Sequence, residues 1–202
     1  VAALKAFVTI REHRRHEEGE RLHAQALSLW ERTGNLHAIN SGRYNLAVCA
    51  QNARRHADAL ERLAPVLASA QALGDWHRLS QSLNVRGNAC SGLRRWPQAA
   101  DDYRECIRIA WRGMSDYDLA YGLWNLPRAL LHLRRPEQAV PLAAFAAAHW
   151  RTHFGALNET DQRDLQRIRR LAARLVAPRQ VEAWWRQGTA LALAEAVSLA
   201  LA

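Results

Sequence analysis

Arginine doublets recur at a fixed interval of forty residues: Arg14-Arg15, Arg54-Arg55, Arg94-Arg95 and Arg134-Arg135. A period of this length restricts the fold strongly. A unit so short cannot bury its apolar face alone, so it has to stack on copies of itself. Apolar columns keep the same register. Ala59, Ala99 and Ala139 form one; Leu27, Leu67, Ile107 and Ala147 a second; Ile10, Ala50, Cys90 and Leu130 a third; Ala53, Leu93 and Leu133 a fourth. Gly34 and Gly74 also match.

Each period divides into two helical halves. Between Leu36 and Ala53 there is no proline, and Leu46, Ala47, Ala50 and Ala53 follow the three-and-four spacing of one helix face. Arg54-Arg55-His56 forms a polar turn. Leu60, Leu63, Leu67, Ala70 and Leu73 then make a second stripe, which Gly74-Asp75 closes. The next unit repeats this as Leu79 to Leu93, a turn at Arg94-Arg95, and Pro97 to Trp111. Pro97 and Pro136 sit where a first-turn proline is tolerated. No stretch alternates with a two-residue period, so no strand is expected.

Small residues on the first helix, a turn, and an early Ala on the second resemble tetratricopeptide repeats of a long, forty-residue kind. Asn84-Val85-Arg86-Gly87-Asn88 followed by Leu93-Arg94-Arg95-Trp96-Pro97-Gln98-Ala99 carries the resemblance best, with Asn45-Leu46-Ala47 and Asn125-Leu126-Pro127 as weaker cognates. Arg86 and Pro127 depart from the pattern, and Pro127 is expected to cost a hydrogen bond and kink its helix. The resemblance implies an all-α, right-handed solenoid of four helix pairs at 1–36, 37–76, 77–116 and 117–156. Capping helices at 157–202 would close it. The tail, with Trp184, Gly188, Leu191, Glu195-Ala196-Val197 and Leu199-Ala200-Leu201, resembles the C-termini of bacterial STAND-class signal-transduction ATPases and transcriptional regulators. A chain opening on Val1 fits a C-terminal piece of such a protein, and equally a processed or tagged one.

In the tetratricopeptide family the first helix of each pair lines a concave groove. Carried over repeat by repeat, the resemblance places Tyr44, Val48, Gln51 and Asn52 there, then Asn84, Asn88 and Ser91, then Trp124, Arg128 and His132. Amides, hydroxyls, two aromatics and a cation suit a protein or peptide partner, or a small polar ligand. The alternative is that these are solvated helix residues. The acidic-tail clamp of some chaperone-binding relatives needs Lys and Asn where Leu4 and Val8 stand, so that partner is not expected.

The net charge of +9 raises nucleic acid as a partner. Yet the basic side is 27 Arg against the single Lys5, which with abundant Ala and Leu is the codon signature of a GC-rich genome. A basic rail of arginine doublets is the runner-up, a nucleic-acid scaffold; the plainer reading, a row of solvated turns, is adopted. Arg163, Arg167, Arg170 and Arg174 share one face of a helix from Glu159 to Val176. Leu165, Ile168, Ala172, Leu175 and Val176 share the other, so this helix should cap the last repeat. Self-association through Leu4, Phe7 and Val8 is a third reading.

Other signals weigh against chemistry. Cys49, Cys90 and Cys106 have neither disulfide nor zinc spacing and read as small apolar residues. His149 and His153 stand four apart and His13 and His16 three apart, without companion ligands, so neither metal nor cofactor is expected. No phosphate loop, serine elbow or Cys/His nucleophile context occurs, so the expectation is a non-enzyme. One sequence leaves open a dyad assembled from distant helices. Trp30 and Trp150 are equivalent, with Ala70 and Ala110 between, a pattern of bulky ends and a small middle. Trp184-Trp185 should hold one core anchor, with Trp185 the more exposed. No signal peptide or bilayer-length apolar run occurs, which makes the cytoplasm the expected compartment.

Overall fold

The computed structural model describes residues 16–202. Leu4, Phe7, Val8, His13 and the Arg14-Arg15 doublet lie outside the described residues. Those described form ten α-helices and no strand: α1 His16–Thr33, α2 Leu36–Asn52, α3 His56–Leu73, α4 Trp76–Gly92, α5 Trp96–Arg112, α6 Asp116–His132, α7 Pro136–His153, α8 Glu159–Ala172, α9 Pro178–Thr189 and α10 Leu193–Leu201. The helix starts keep the period of the sequence. Residues 16, 56, 96 and 136 open α1, α3, α5 and α7, and residues 36, 76 and 116 open α2, α4 and α6.

Two kinds of short turn produce this regularity. After α2, α4 and α6 the chain turns through Arg54, Arg94 and Arg134, each in the left-handed region with φ of 59°. In the first of these turns Arg54 N–H donates to Gln51 O (3.0 Å) and Arg55 N–H to Ala50 O (2.9 Å). Arg134 and Arg135 do the same to Leu131 O (3.1 Å) and Leu130 O (2.9 Å). This paired pattern satisfies carbonyls that a helix end leaves over. The other turn passes through Gly34, Gly74 and Met114, with φ of 67°, 63° and 50°. A polar residue follows each: Asn35 Oδ1 accepts from Ala38 N–H (3.1 Å) and Asp75 Oδ1 from Arg78 N–H (2.9 Å), capping the next helix. Ser115 holds the third position and donates instead to Asp118 Oδ2 at 2.9 Å.

The described residues divide into two compact units, one ending at Arg94 and the other beginning at Arg95. In the first, α1 packs on α2, α2 on α3, and α3 on α4, while α2 also touches α4. Small residues set how closely these helices approach. Ala50, Ala59 and Ala89 form a core cluster with Leu60 packed against it. Gly42 allows a close approach: a Cβ there would lie 3.1 Å from Leu27 and from the Trp30 ring, which would have to give by a few tenths of an ångström. That explains how α1 carries its large Trp30: the bulk is met by a residue with no side chain.

In the second unit, α5 packs on α6 and α6 on α7. The tail then folds back. Helix α8 covers α6 and α7, α9 lies along α7, and α10 reaches α5, α6 and α7. Helix α8 starts from a capping box, with Asn158 Oδ1 accepting from Asp161 N–H and Asp161 Oδ2 from Asn158 N–H, both at 3.0 Å. Its apolar side buries Leu165, Ile168 and Ala172, while Arg163, Arg167, Arg170 and Arg174 are exposed. The helix stops at Ala172, so Arg174 lies in the turn that follows. Arg104 of α5 donates through Nε to Ala200 O (3.1 Å), tying down the last turn of α10.

Trp184 and Trp185 are both half-buried. Trp185 packs with Trp124 and Trp150 on a core of Ala147, Leu157 and Leu165. Arg169 covers its outer face, with the guanidinium carbon 4.0 Å from the ring centre. Pro127 is fully buried, and α6 continues through it from Asp116 to His132. All three cysteines are free and buried. Burial drives the Cys49 thiol up to about 11 and that of Cys106 higher still, so neither supplies a thiolate at neutral pH.

Candidate binding surface

In the first unit, α2 and α4 lie side by side. Because side chains three and four apart share a helix face, this brings the residues expected to line the groove into two adjacent rows. Tyr44 and Val48 of α2 and Asn84 and Asn88 of α4 are half-buried, and Asn52 is exposed. The rows are joined by Arg78. Its guanidinium carbon stands 4.4 Å from the centre of the Tyr44 ring. Nη2 donates to Ser41 Oγ (3.0 Å) and Nη1 to Gln81 Oε1 (2.9 Å). A planar guanidinium stacked on a phenol and forked between two acceptors is a rigid platform, which a lysine would not reproduce. Sequence reasoning passed over Arg78 because its column, Ala38, Arg78 and Asp118, does not repeat in character.

The other two expected residues of this unit are Ser91 and Gln51. Ser91 is buried. Gln51 Oε1 lies 2.9 Å from His56 Nδ1, and the His56 ring sits where a Cβ on Gly92 would come within 2.3 Å of it. Gln51 therefore positions a histidine that occupies the space Gly92 leaves.

The second unit carries Trp124, Arg128 and His132 on α6. Trp124 is half-buried against the Ala147, Leu157 and Leu165 core, with its ring 5.8 Å from that of Trp150. Arg128 and His132 are exposed, and both face Trp96 at the start of α5. The His132 and Trp96 rings stack at 3.8 Å and within 6° of parallel, and the Arg128 guanidinium carbon is 5.6 Å from the Trp96 ring. Trp96 was legible in the sequence only as part of a turn. It is the residue that gathers these two.

One arginine doublet is engaged by carboxylates of its own unit. Arg55 bonds both Glu20 and Asp58, the latter at 2.7 Å. Arg62 joins the same carboxylates at 3.0 and 2.5 Å, so much of the positive charge at that turn is neutralised locally. Hydrogen bonding to Asp58 raises the Arg62 pKa further. Among the described residues, no three His, Cys, Asp or Glu side chains are gathered as a metal site would need. None of the described helices is long and apolar enough to cross a membrane.

Residues 38–110 match the family model of the tetratricopeptide repeat. The match runs from the first turn of α2 to the last turn of α5. It therefore includes Tyr44, Arg78 and the amides of α4. Tetratricopeptide repeats generally mediate protein binding and are typically non-catalytic. Against curated proteins the chain has no significant match.

Proposed function

We propose that this chain is a non-catalytic tetratricopeptide module that binds a protein partner through an extended peptide segment, along the face shared by α2 and α4. The observation that carries this reading is the platform of Arg78 on Tyr44 beside the amide-bearing row of Asn84 and Asn88. Side-chain amides offer a donor and an acceptor together, the pair that a peptide backbone presents in reverse. The stacked guanidinium gives the flat, pre-ordered surface on which a bound side chain loses little entropy. We divide the array into four repeats at 1–36, 37–76, 77–116 and 117–156, closed by 157–202. Trp124, Arg128 and His132 contribute a second patch from the fourth repeat.

The wider setting we propose is the C-terminal sensor arm of a cytoplasmic bacterial signalling ATPase or transcriptional regulator. The tail pattern of Trp184, Gly188, Leu191 and Glu195-Ala196-Val197 supports it. Partner binding would then bias an ATPase or output domain elsewhere in the protein.

Peptides selected by display against the whole chain test the binding face. Tyr44→Ala and Asn88→Ala should each weaken the selected peptides by about tenfold, the scale of one well-placed contact. Arg179→Ala, on the exposed side of α9, should leave them unaffected. Peptides indifferent to the first two substitutions would remove the α2 and α4 face from consideration.

A further inference from the structure

The second unit contains a cavity of about 370 Å³, lined by none of the residues assigned to the binding surface. It is lined by Asp116, Phe145, His149, His153, Leu191 and Leu193, with Ala148, Thr152 and Thr189 completing the wall. Its volume falls within the range of small-molecule sites. One side is a column of rings on α7, each a turn from the next. Phe145 and His149 stack at 5.3 Å and 18°, and His149 and His153 follow at 4.3 Å. The opposite side is the apolar turn between α9 and α10. Asp116, the first residue of α6, stands at the rim.

The polar lining is unbalanced. Thr152 Oγ1 spends its proton on Ala148 O (3.1 Å) and Thr189 Oγ1 spends its own on Arg186 O (2.8 Å). Both hydroxyls are left with acceptor lone pairs. Burial and the neighbouring His153 lower the His149 pKa, against the opposing pull of Asp116, so His149 is neutral at pH 7 and keeps one acceptor nitrogen. Asp116 adds a carboxylate, and it takes part in no ion pair among the described residues. The lining thus supplies one full negative charge, at least three acceptor groups and flat apolar walls. A hydrated inorganic ion would waste the walls, and an anion would meet the carboxylate.

We propose that this cavity binds a small organic cation: an amidinium, guanidinium or ammonium group carried on a flat apolar body. The cationic head donates to Asp116 and the threonine oxygens, and the body lies against the ring column between α7 and Leu191 and Leu193. The Asp116 carboxylate is exposed, so a charged donor facing it gains a modest amount and the flat walls supply the rest. The π faces of the rings add to it.

Calorimetric titration of the whole chain with benzamidine tests this, with benzamide as the uncharged isostere. Benzamidine should bind and shift the imidazole NMR signals of His149 and His153, while benzamide should bind about tenfold more weakly or not at all. Asp116→Asn should remove that preference with an unchanged circular dichroism spectrum. Leu193→Trp should block the cavity. N-acetyl-arginine N-methylamide distinguishes the sources of the cation: tighter binding than benzamidine assigns the site to an arginine presented by a peptide, weaker binding to a free small molecule. Equal affinity for benzamidine and benzamide, an unaffected Asp116→Asn variant, or no binding by either cation would overturn the proposal. The comparison of the two isosteres on the unmodified chain holds even if a variant fails to fold.

Discussion

Gly188 of α9 rests directly on the backbone of Pro141 in α7: a Cβ at Gly188 would lie 2.2 Å from Pro141 O and 2.5 Å from its Cα. Backbone cannot swing aside as a side-chain tip can. The contact is what allows α9 to lie along α7, its main partner. Gly188→Ala should therefore cost about 2 to 4 kcal/mol, the upper range for overpacking. Urea denaturation followed by far-ultraviolet circular dichroism would read this. A cost below half a kilocalorie would mean that α9 is free to stand off from α7.

The first arginine of each described doublet holds a backbone conformation that glycine prefers. For an L-residue the left-handed region costs roughly 1–2 kcal/mol, while glycine gives back about 0.5–1 kcal/mol of that through the greater freedom of its unfolded chain. Arg54→Gly, Arg94→Gly and Arg134→Gly should each stabilise the protein by a net amount of about 0.5 to 1 kcal/mol. A β-branched residue at the same place, as in Arg94→Val, should do the opposite. Melting temperatures of the four variants decide it. Arginines that prove better than glycine there would have a tertiary contact of their own.

His23 of α1 is buried at 4% exposure, and its Nδ1 has no hydrogen-bond partner among the described residues. The forty-residue period places it level with Leu63, which is fully buried and apolar. Replacing an unsatisfied buried nitrogen with the residue its own repeat uses should help. His23→Leu should raise stability by about 1 to 2 kcal/mol at pH 7, measured by chemical denaturation.

Acid should weaken the fold through the same residue and through His149. Burial lowers both imidazole pKa values below the ordinary 6.5. A base whose folded pKa is depressed binds its proton more readily when unfolded. Stability is thus unaffected by these two groups above about pH 6.5 and falls as the pH drops from there through their lowered values. Denaturation midpoints between pH 7.5 and pH 5 should decline, and His23→Leu should flatten part of the slope. An unchanged slope in that variant would assign the acid sensitivity to other groups.

Gly122 of α6 faces Ile107 of α5 so closely that a Cβ would lie 2.7 Å from Ile107 Cγ1. Gly122→Ala should cost about 1 to 3 kcal/mol, and the added loss should be smaller in an Ile107→Ala background, where the Cγ1 that the new Cβ would strike is gone. Additive losses would show that the two residues do not press on each other.

The repeating helices, the arginine and glycine turns and the alanine columns were legible, because every unit solves the same local problem with residues at the same offset; the helix starts were not, since His56 was assigned to a turn and Leu79 to a start, whereas α3 begins at His56 and α4 at Trp76. Two further columns obey the same period and were passed over. Asn35, Asp75 and Ser115 precede the first helix of each pair, and Gly42, Ser82 and Gly122 supply the small surface on its inner side. Among the expected binding residues, Tyr44, Asn84 and Asn88 could be placed on a helix face from the family resemblance, but their partner Arg78 could not. Its stacking on Tyr44 depends on how two helices meet, and that information is spread over the packing between them.

The amino-acid sequence by itself determined the repeating helices, since period, propensity and turn chemistry act within a few residues of one another. Tertiary structure decided the pairing of Trp96 with Arg128 and His132, the binding of Arg104 to Ala200 O, the seating of Gly188 on Pro141 and the cavity beneath Asp116. These join residues up to 96 positions apart, most of them through a tail that does not repeat. Contacts of that kind follow from how volumes fill space when the whole chain packs, and no local pattern in the chain encodes them.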